Sequence, residues 1–263
     1  MNNMISPRIG AVVLAGGPVP KSLAALCTHR ALLPLGGRFI IEYILDALAG
    51  TPEICATAVV VPAEAHEALG KYVPLLVDAG DTLMVNMARG AQALAEAELT
   101  HLLFITGDIP LITPAALSSY LQESLATGAD FTYPIIPSTD SEARFPGAKR
   151  TYVKIRDGVF TGGNAVFASA HFFTDKQQLI EDVYNARKAP LKLAGILGWD
   201  TLARFLAGSI DLARLEVVAS RILGAPARAI ISHYAELGFD VDKQEDLEAV
   251  GSMFNVQRST SMP

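Results

Sequence analysis

Three aspartates offer the most chemistry in this sequence. Asp108 follows an apolar run directly, in Thr106-Gly107-Asp108-Ile109-Pro110. In an open α/β sheet the carboxyl ends of strands line the ligand crevice, and a carboxylate there can hold Mg²⁺ against phosphate oxygens. Gly-Asp is also common in turns, but the buried run before it tilts the reading toward function. Asp240 and Asp242 flank Val241, beyond a second strand-like run that ends at His233. Residues two apart on an extended segment share a face, whereas a turn separates them. A Mg²⁺ site with one ligand from Asp108 and one from this pair suits an ion that takes hard oxygens and keeps several waters. Which of Asp240 and Asp242 would serve stays open, as does a plain solvated acidic turn.

A glycine pair supplies the second kind of chemistry. Residues 9–15 form an apolar run that meets Gly16-Gly17-Pro18, and the polar stretch after it closes on Arg30-Ala31-Leu32-Leu33-Pro34-Leu35-Gly36-Gly37. Glycine lacks a Cβ, so such a loop can approach a ligand and turn N–H groups toward phosphate oxygens. Lys21 and Arg30 could add positive charge beside those amides. Taken alone, the pair is as well explained by an ordinary strand-end turn. Thr161-Gly162-Gly163-Asn164 likewise offers backbone donors and one side-chain amide for hydroxyls or a phosphate, or else forms a β-bulge. Lys149, Arg150, Lys154 and Arg156 make a modest basic cluster. Arg156 reads as solvated, whereas Lys149 or Arg150 could fold over a substrate phosphate. The five histidines show no metal spacing and no nucleophile partner.

Alternating short strands and ordinary helices must position these groups. Strands are expected at 9–15, 56–61, 73–77, 101–106 and 131–136, with the runs starting at Ile9, Ala56 and His101 central because they are continuously apolar. Helices are expected at 39–48, 63–71, 82–99 with Asp81 as cap, and 114–126 with Thr113 as cap and Pro114 at its first position. Met84 and Met87 read as core fillers. Residues 138–150 read as a surface loop, and 152–156 as a half-buried strand turning at Asp157-Gly158 into 159–160. Another apolar run spans 165–168. Helical segments follow at 175–186, 191–197, 201–206 and 211–223, then a strand at 228–233 and a helical turn or two at 245–250. The tail from Phe254 reads as loose. No repeat or long linker divides the chain, so a single domain is expected, with a helical insert at 175–223. Tyr184, Trp199 and Phe205 in that insert read as core.

Composition narrows the classes. A chain of 263 residues, 51% apolar and 18% charged, can bury a sizeable core and is not globally disordered. It is also compatible with a homo-oligomer. A net charge of −6 argues against a duplex nucleic-acid binder, but leaves room for a small phosphorylated substrate balanced locally by a metal ion and a few basic groups. Cys27 and Cys55 have neither CxxC nor metal-ligand spacing. With no signal core and no uninterrupted apolar span, the expectation is a soluble cytoplasmic protein without a membrane partner.

Taken in order, Leu14-Ala15-Gly16-Gly17, the Arg30–Gly37 run, Thr106–Pro110, Thr161–Asn164 and Asp240-Val241-Asp242 with Glu245-Asp246-Leu247 resemble the nucleotidyltransferase superfamily. The likeness is to the molybdenum-cofactor guanylyltransferase type, a superfamily that also holds sugar-phosphate nucleotidyltransferases and cytidylyltransferases. The resemblance implies a three-layer αβα, Rossmann-like fold with a mostly parallel mixed sheet. It implies Mg²⁺-dependent transfer of a nucleoside monophosphate from an NTP, GTP or CTP favoured, to a phosphorylated acceptor, releasing pyrophosphate. Leu14, Ala15, Gly16, Gly17, Gly107, Gly162, Gly163 and Asn164 would bind substrates, and Lys21, Arg30 and Asp108 would serve catalysis. Asp108 and Asp240 would hold the metal, with Asp242 in reserve. Lys21 stands for the arginine usual in the family's loop, and Arg30 for the lysine usual before Ala-Leu; the family's Gly-x-x-x-Arg-Met-Gly run is absent. The acceptor could be molybdopterin or a sugar 1-phosphate. Two other classes are a regulatory nucleotide-binding protein that keeps the fold without the chemistry, and a dinucleotide-dependent oxidoreductase. The latter lacks its Gly-x-Gly-x-x-Gly fingerprint here.

Overall fold

The computed structural model describes residues 6–70, 73, 75–186, 195, 196 and 198–260. Its apolar runs assemble into a nine-stranded mixed sheet. β1 (Ile9–Leu14) lies between β4 (Ile54–Val61) and β6 (His101–Thr106), parallel to both, as continuously apolar strands should when both faces are covered. A two-residue hairpin of β2 (Pro34–Leu35) and β3 (Arg38–Phe39) stands apart from this sheet. β5 (Leu76–Asp78) extends the parallel set beyond β4. β10 (Ala165–Ser169) runs antiparallel between β6 and β7 (Phe131–Pro137), and β11 (Ala227–Ile231) flanks β7 in parallel. β9 (Gly158–Gly162) pairs with the other end of β7 and carries β8 (Val153–Ile155) on its outer edge.

The register shows β9 and β10 to be one interrupted strand. Gly162 faces Ile135 and Phe167 faces Thr132, so five steps along one strand match three along the other. The surplus bulges at Gly163-Asn164. At Gly162 a Cβ would come within 2.2 Å of the Tyr133 hydroxyl, and at Gly163 within 2.7 Å of Pro134 Cγ, so close approach requires the glycine pair.

Side chains alternate across the sheet and build two cores. Ile9, Ala11 and Val13 face α1 (Ile40–Ala49) and α4 (Pro114–Thr127), where Ile40, Ile41, Ile44, Leu117 and Leu121 are fully buried. Each such side chain contributes about 1.5–3 kcal/mol relative to an exposed one. Val12, Ala58, Val60 and Phe104 face α3 (Leu83–Ala93), α6 (Ala170–Ala186) and α8 (Leu212–Leu223) on the other side. The result is the expected αβα sandwich. Thr113 caps α4 by accepting the Ala116 N–H, with Pro114 at its first position, and Asp211 caps α8 through the Arg214 N–H. No helix among the described residues is long and apolar enough to cross a membrane.

Several local expectations fail for identifiable reasons. Thr82, not Asp81, caps α3: its hydroxyl accepts the Val85 N–H. Residues 63–71 hold only a 3-10 turn and the short α2 (His66–Leu69), with Lys71 outside the described residues. The expected loop at 138–150 opens as α5 (Ser138–Arg144), a helix without an apolar stripe whose following residue, Phe145, anchors on Phe239 with ring centroids 4.1 Å apart. α6 begins at Ala170, earlier than expected, because Phe172 and Phe173 bury against the sheet. α9 (Gln244–Thr260) runs through the supposedly loose tail, held by buried Val250 and by Phe254 stacked against Tyr43. Trp199, at the start of α7 (Trp199–Leu206), is 67% exposed and is not core. Apart from residues 195 and 196, the helical piece expected at 191–197 lies outside the described residues, as does the Tyr184 side chain.

Candidate active site

The carboxyl ends of β1 and β6 meet above the sheet. Gly107 N–H donates to the Leu14 carbonyl at 3.0 Å, which sets the turn after β6 beside the glycine loop after β1. Leu14, Ala15, Gly16, Gly17, Arg30, Gly107 and Asp108 line a cavity of about 330 Å³, closed on its far side by Gly80, Asp81, Thr82 and Asn86. Gly16 sits against Ala79, where a Cβ would lie 2.5 Å from the alanine methyl, whereas the space beside Gly17 is open. The Gly16 and Gly17 amides meet no protein acceptor among the described residues. They are therefore available to a ligand.

Asp240 and Asp242 arrive from the far end of the chain. Val241 N–H donates to the Asp108 carbonyl at 2.9 Å, a main-chain link that brings both aspartates to the end of β6. Asp108, Asp240 and Asp242 each present an oxygen within 4.8 Å of the others. Arg30 bridges two of them: its terminal nitrogen lies 2.7 Å from Asp108 Oδ2 and 2.5 Å from Asp242 Oδ1, and it also donates to the Val241 carbonyl at 2.9 Å. The Thr106 hydroxyl donates to Asp108 Oδ1. Arg150 holds the third carboxylate, at 2.5 Å from Asp240 Oδ1 and 2.9 Å from the Asp240 carbonyl. Its guanidinium stacks 4.1 Å from the Phe239 ring centre and lies 3.7 Å from Asp246. Asp246 in turn accepts the Asp242 and Lys243 N–H groups at the start of α9.

Two guanidiniums thus face four carboxylates, and burial displaces the acidities of two of them. Burial pushes the Asp108 carboxyl above its ordinary value, and Asp242 adds to this against the opposing pull of Arg30 and Thr106. Burial raises Asp240 to about 6, with the charges of Asp108 and Asp242 adding to it and Arg150 resisting. A cluster of hard oxygen donors short of positive charge fits a divalent cation such as Mg²⁺.

A second cavity, of about 660 Å³, opens on the other side of this cluster. Gly162, Gly163, Asn164, Asp240 and Asp242 line it, with Lys149 and Lys243 at its wall. The bulge serves more as scaffold than as donor. Gly163 N–H is spent on the Pro134 carbonyl and Asn164 N–H on that of Leu237, while the Asn164 carbonyl accepts Thr106 N–H. Arg150 is likewise spent internally, which leaves Lys149 as the cation of that loop able to meet a ligand. Arg156 stays exposed, paired with Asp211 at 3.2 Å. Lys21 is exposed and lines neither cavity, though Ser22 beside it bonds the Asp242 carbonyl at 3.3 Å. Thr106, Asn86, Lys243 and Asp246 had no assigned role. Of these, Asp246 carries a readable signal, an acid three residues after Lys243 in the first turn of a helix.

A mostly parallel αβα sheet with a glycine loop and an acidic cluster at its carboxyl edge defines the nucleotidyltransferase class of fold. The chain belongs to the MobA-like NTP transferase domain family, whose pattern matches residues 11–194. A hypothetical transferase of Thermus thermophilus is similar across 91% of this chain and 99% of its own, with 38% identity and a TM-score of 0.81. Molybdopterin-guanine dinucleotide biosynthesis protein A of Archaeoglobus fulgidus shares the fold at 14% identity, with a TM-score of 0.53 over 94% of this chain and 99% of that one. The 2-C-methyl-D-erythritol 4-phosphate cytidylyltransferase of Neorickettsia sennetsu is 27% identical over 141 residues. That match spans 51% of this chain and 60% of the cytidylyltransferase.

Proposed function

We propose that this chain transfers a nucleoside monophosphate from an NTP to a phosphorylated acceptor and releases pyrophosphate. One observation carries the reading. Carboxylates from the end of β6 and from the segment just before the last helix converge within 4.8 Å between a glycine-loop cavity and a lysine-bearing one. Asp108 and Asp240 would hold Mg²⁺, with Asp242 as the alternative second ligand. When bound, that ion would neutralise phosphate charge as the transfer proceeds.

The chain's own groups orient and balance charge. The Gly16 and Gly17 amides point donors at the triphosphate and Arg30 adds positive charge, while Lys21, exposed outside the cavity wall, would add its charge only by swinging over a bound triphosphate. Lys149 and Lys243 receive the acceptor phosphate. An oxygen of that phosphate attacks the α-phosphorus in line, the bond to the bridging oxygen of the β-phosphate breaks, and pyrophosphate leaves with the electron pair. No protein nucleophile is required, so positioning and electrostatics supply the rate. The segment at 175–223 acts as a helical insert in a single domain and shapes the acceptor side. GTP and CTP are the favoured nucleotides, and molybdopterin or a sugar 1-phosphate the acceptors to try first.

The test is a titration of the four NTPs with Mg²⁺, followed by pyrophosphate release across those acceptors. Release that depends on both Mg²⁺ and one acceptor supports the reading. Tight NTP binding without release across a broad acceptor panel favours a nucleotide-binding partner protein instead.

A further inference from the structure

A third cavity, of about 670 Å³, lies on the sheet face between α3, α6 and α8. Leu83, Met87, Phe104, Phe131, Leu215 and Ile222 make its walls, and no charged side chain lines it among the described residues. It touches both polar cavities. Leu14, Leu83 and Thr106 are shared with the glycine-loop cavity, and Tyr133, Gly163, Asn164 and Leu215 with the lysine-bearing one. Small-molecule sites are concave and mostly apolar with a few polar groups at one end, and an open apolar space of ligand size beside a polar crevice has that character. Met84 and Met87 give it a wall that can adapt to shape.

We infer that the acceptor is an amphiphile, a phosphate monoester whose apolar body fills this chamber while its phosphate meets Lys149 and Lys243 beside the acidic cluster. This rests on the transferase reading and names its substrate class. The distribution of charge favours this occupant. Among the described residues no charged side chain lines the chamber, whereas Lys149, Lys243, Asp240 and Asp242 line the cavity that adjoins it, so a wholly polar acceptor would leave the chamber unused. A wholly apolar ligand would leave the cations at the mouth unused. The bulge at Gly163-Asn164 marks the passage between the two environments, and its backbone amides are already spent on the Pro134 and Leu237 carbonyls, while the Asn164 side-chain amide also reaches Leu237. An apolar chain can therefore pass it without stranding a buried donor.

The experiment measures binding of ethyl, butyl, hexyl and octyl phosphate to the full chain by calorimetry, below the concentrations at which they aggregate. Each added methylene is expected to tighten binding about fourfold until the chamber is full. Ala219→Phe places a ring in the chamber, and Ile222→Gln puts a polar group on its wall. Either should flatten the series while leaving ethyl phosphate unchanged. Affinity indifferent to chain length overturns the inference. So does an unaltered gradient in both variants, or octanol binding as tightly as octyl phosphate. Mg²⁺–NTP binding is titrated separately: its failure would remove the transferase reading and leave the chain-length gradient to be judged by itself.

Discussion

Arg30 stands 2.7 Å from Asp108, and the same nitrogen reaches Asp242 at 2.5 Å. One guanidinium therefore joins a residue near the start of the chain to carboxylates from its middle and its end. With Arg30 and Asp108 both largely buried, removing the cation leaves a carboxylate desolvated and uncompensated. Arg30→Met is expected to lower stability at neutral pH by roughly 3 kcal/mol, measured by urea unfolding, with Mg²⁺ restoring part of the loss. Arg30→Lys keeps the charge but loses the fork that serves Asp108, Asp242 and the Val241 carbonyl together, so it should fall between the two. An unchanged unfolding midpoint in Arg30→Met would remove this residue's role as internal counter-ion.

Asp108→Asn separates chemistry from folding. The amide can keep the Thr106 contact and sheds a charge that burial disfavours. Metal-free stability should fall less than in Arg30→Met, because Arg30 keeps Asp242, while kcat/KM for pyrophosphate release falls by about a thousandfold, as for loss of a central electrostatic group. Full Mg²⁺-dependent turnover in the variant would exclude Asp108 as a metal ligand.

The acidic cluster makes stability depend on pH in a definite direction. Asp240 ionises at about 6 in the folded chain against an ordinary 3.8. Between those values the folded state holds the extra proton, so stability falls as pH rises through the window and the loss persists above it. Asp108 is displaced in the same direction. Mg²⁺ binds the ionised carboxylates and should reverse the loss. Melting curves recorded from about pH 4 to about pH 8 should show Mg²⁺ stabilising the upper end alone. A Mg²⁺ effect as large at the acidic end would exclude these carboxylates as its ligands.

The glycine pair after β1 divides into a packing residue and an open one. Gly16→Ala forces a methyl to within 2.5 Å of the Ala79 Cβ and should cost about 1–3 kcal/mol of stability. Gly17→Ala meets open space, so its melting temperature should barely change while NTP affinity drops. Equal losses of stability in both variants would mean that the loop's role is structural throughout.

What could be read without coordinates follows from where physics is local. The runs at 9–15 and 101–106 are nearly all apolar because both sheet faces are covered, so their central place was legible. The Thr113-Pro114 cap is a two-residue signal and was legible too. Asp108 could be placed because a strand end fixes where the next residues go. Arg150 could not: its burial depends on Phe239 and Asp246, which lie far along the chain, and no local pattern distinguishes it from Lys149 beside it. The helix at Ser138–Arg144 has no apolar periodicity and is held by tertiary contact. The final helix did carry apolar positions at Leu247, Val250, Met253 and Phe254, and its extent was missed because its flanking residues are polar. The bulge at Gly163-Asn164 was foreseen as a possibility, but only strand pairing shows that its amides are spent.

Main-chain hydrogen bonds survive the exchange of side chains. Because Asp108 and Val241 are joined that way, the approach of their two main-chain segments does not depend on the identity of neighbouring side chains. The walls contributed by α7, α8 and the Lys149 loop can then change without moving the segments that carry the acidic cluster. A frame tied by main-chain bonds and walls built from side chains can thus be altered independently of each other.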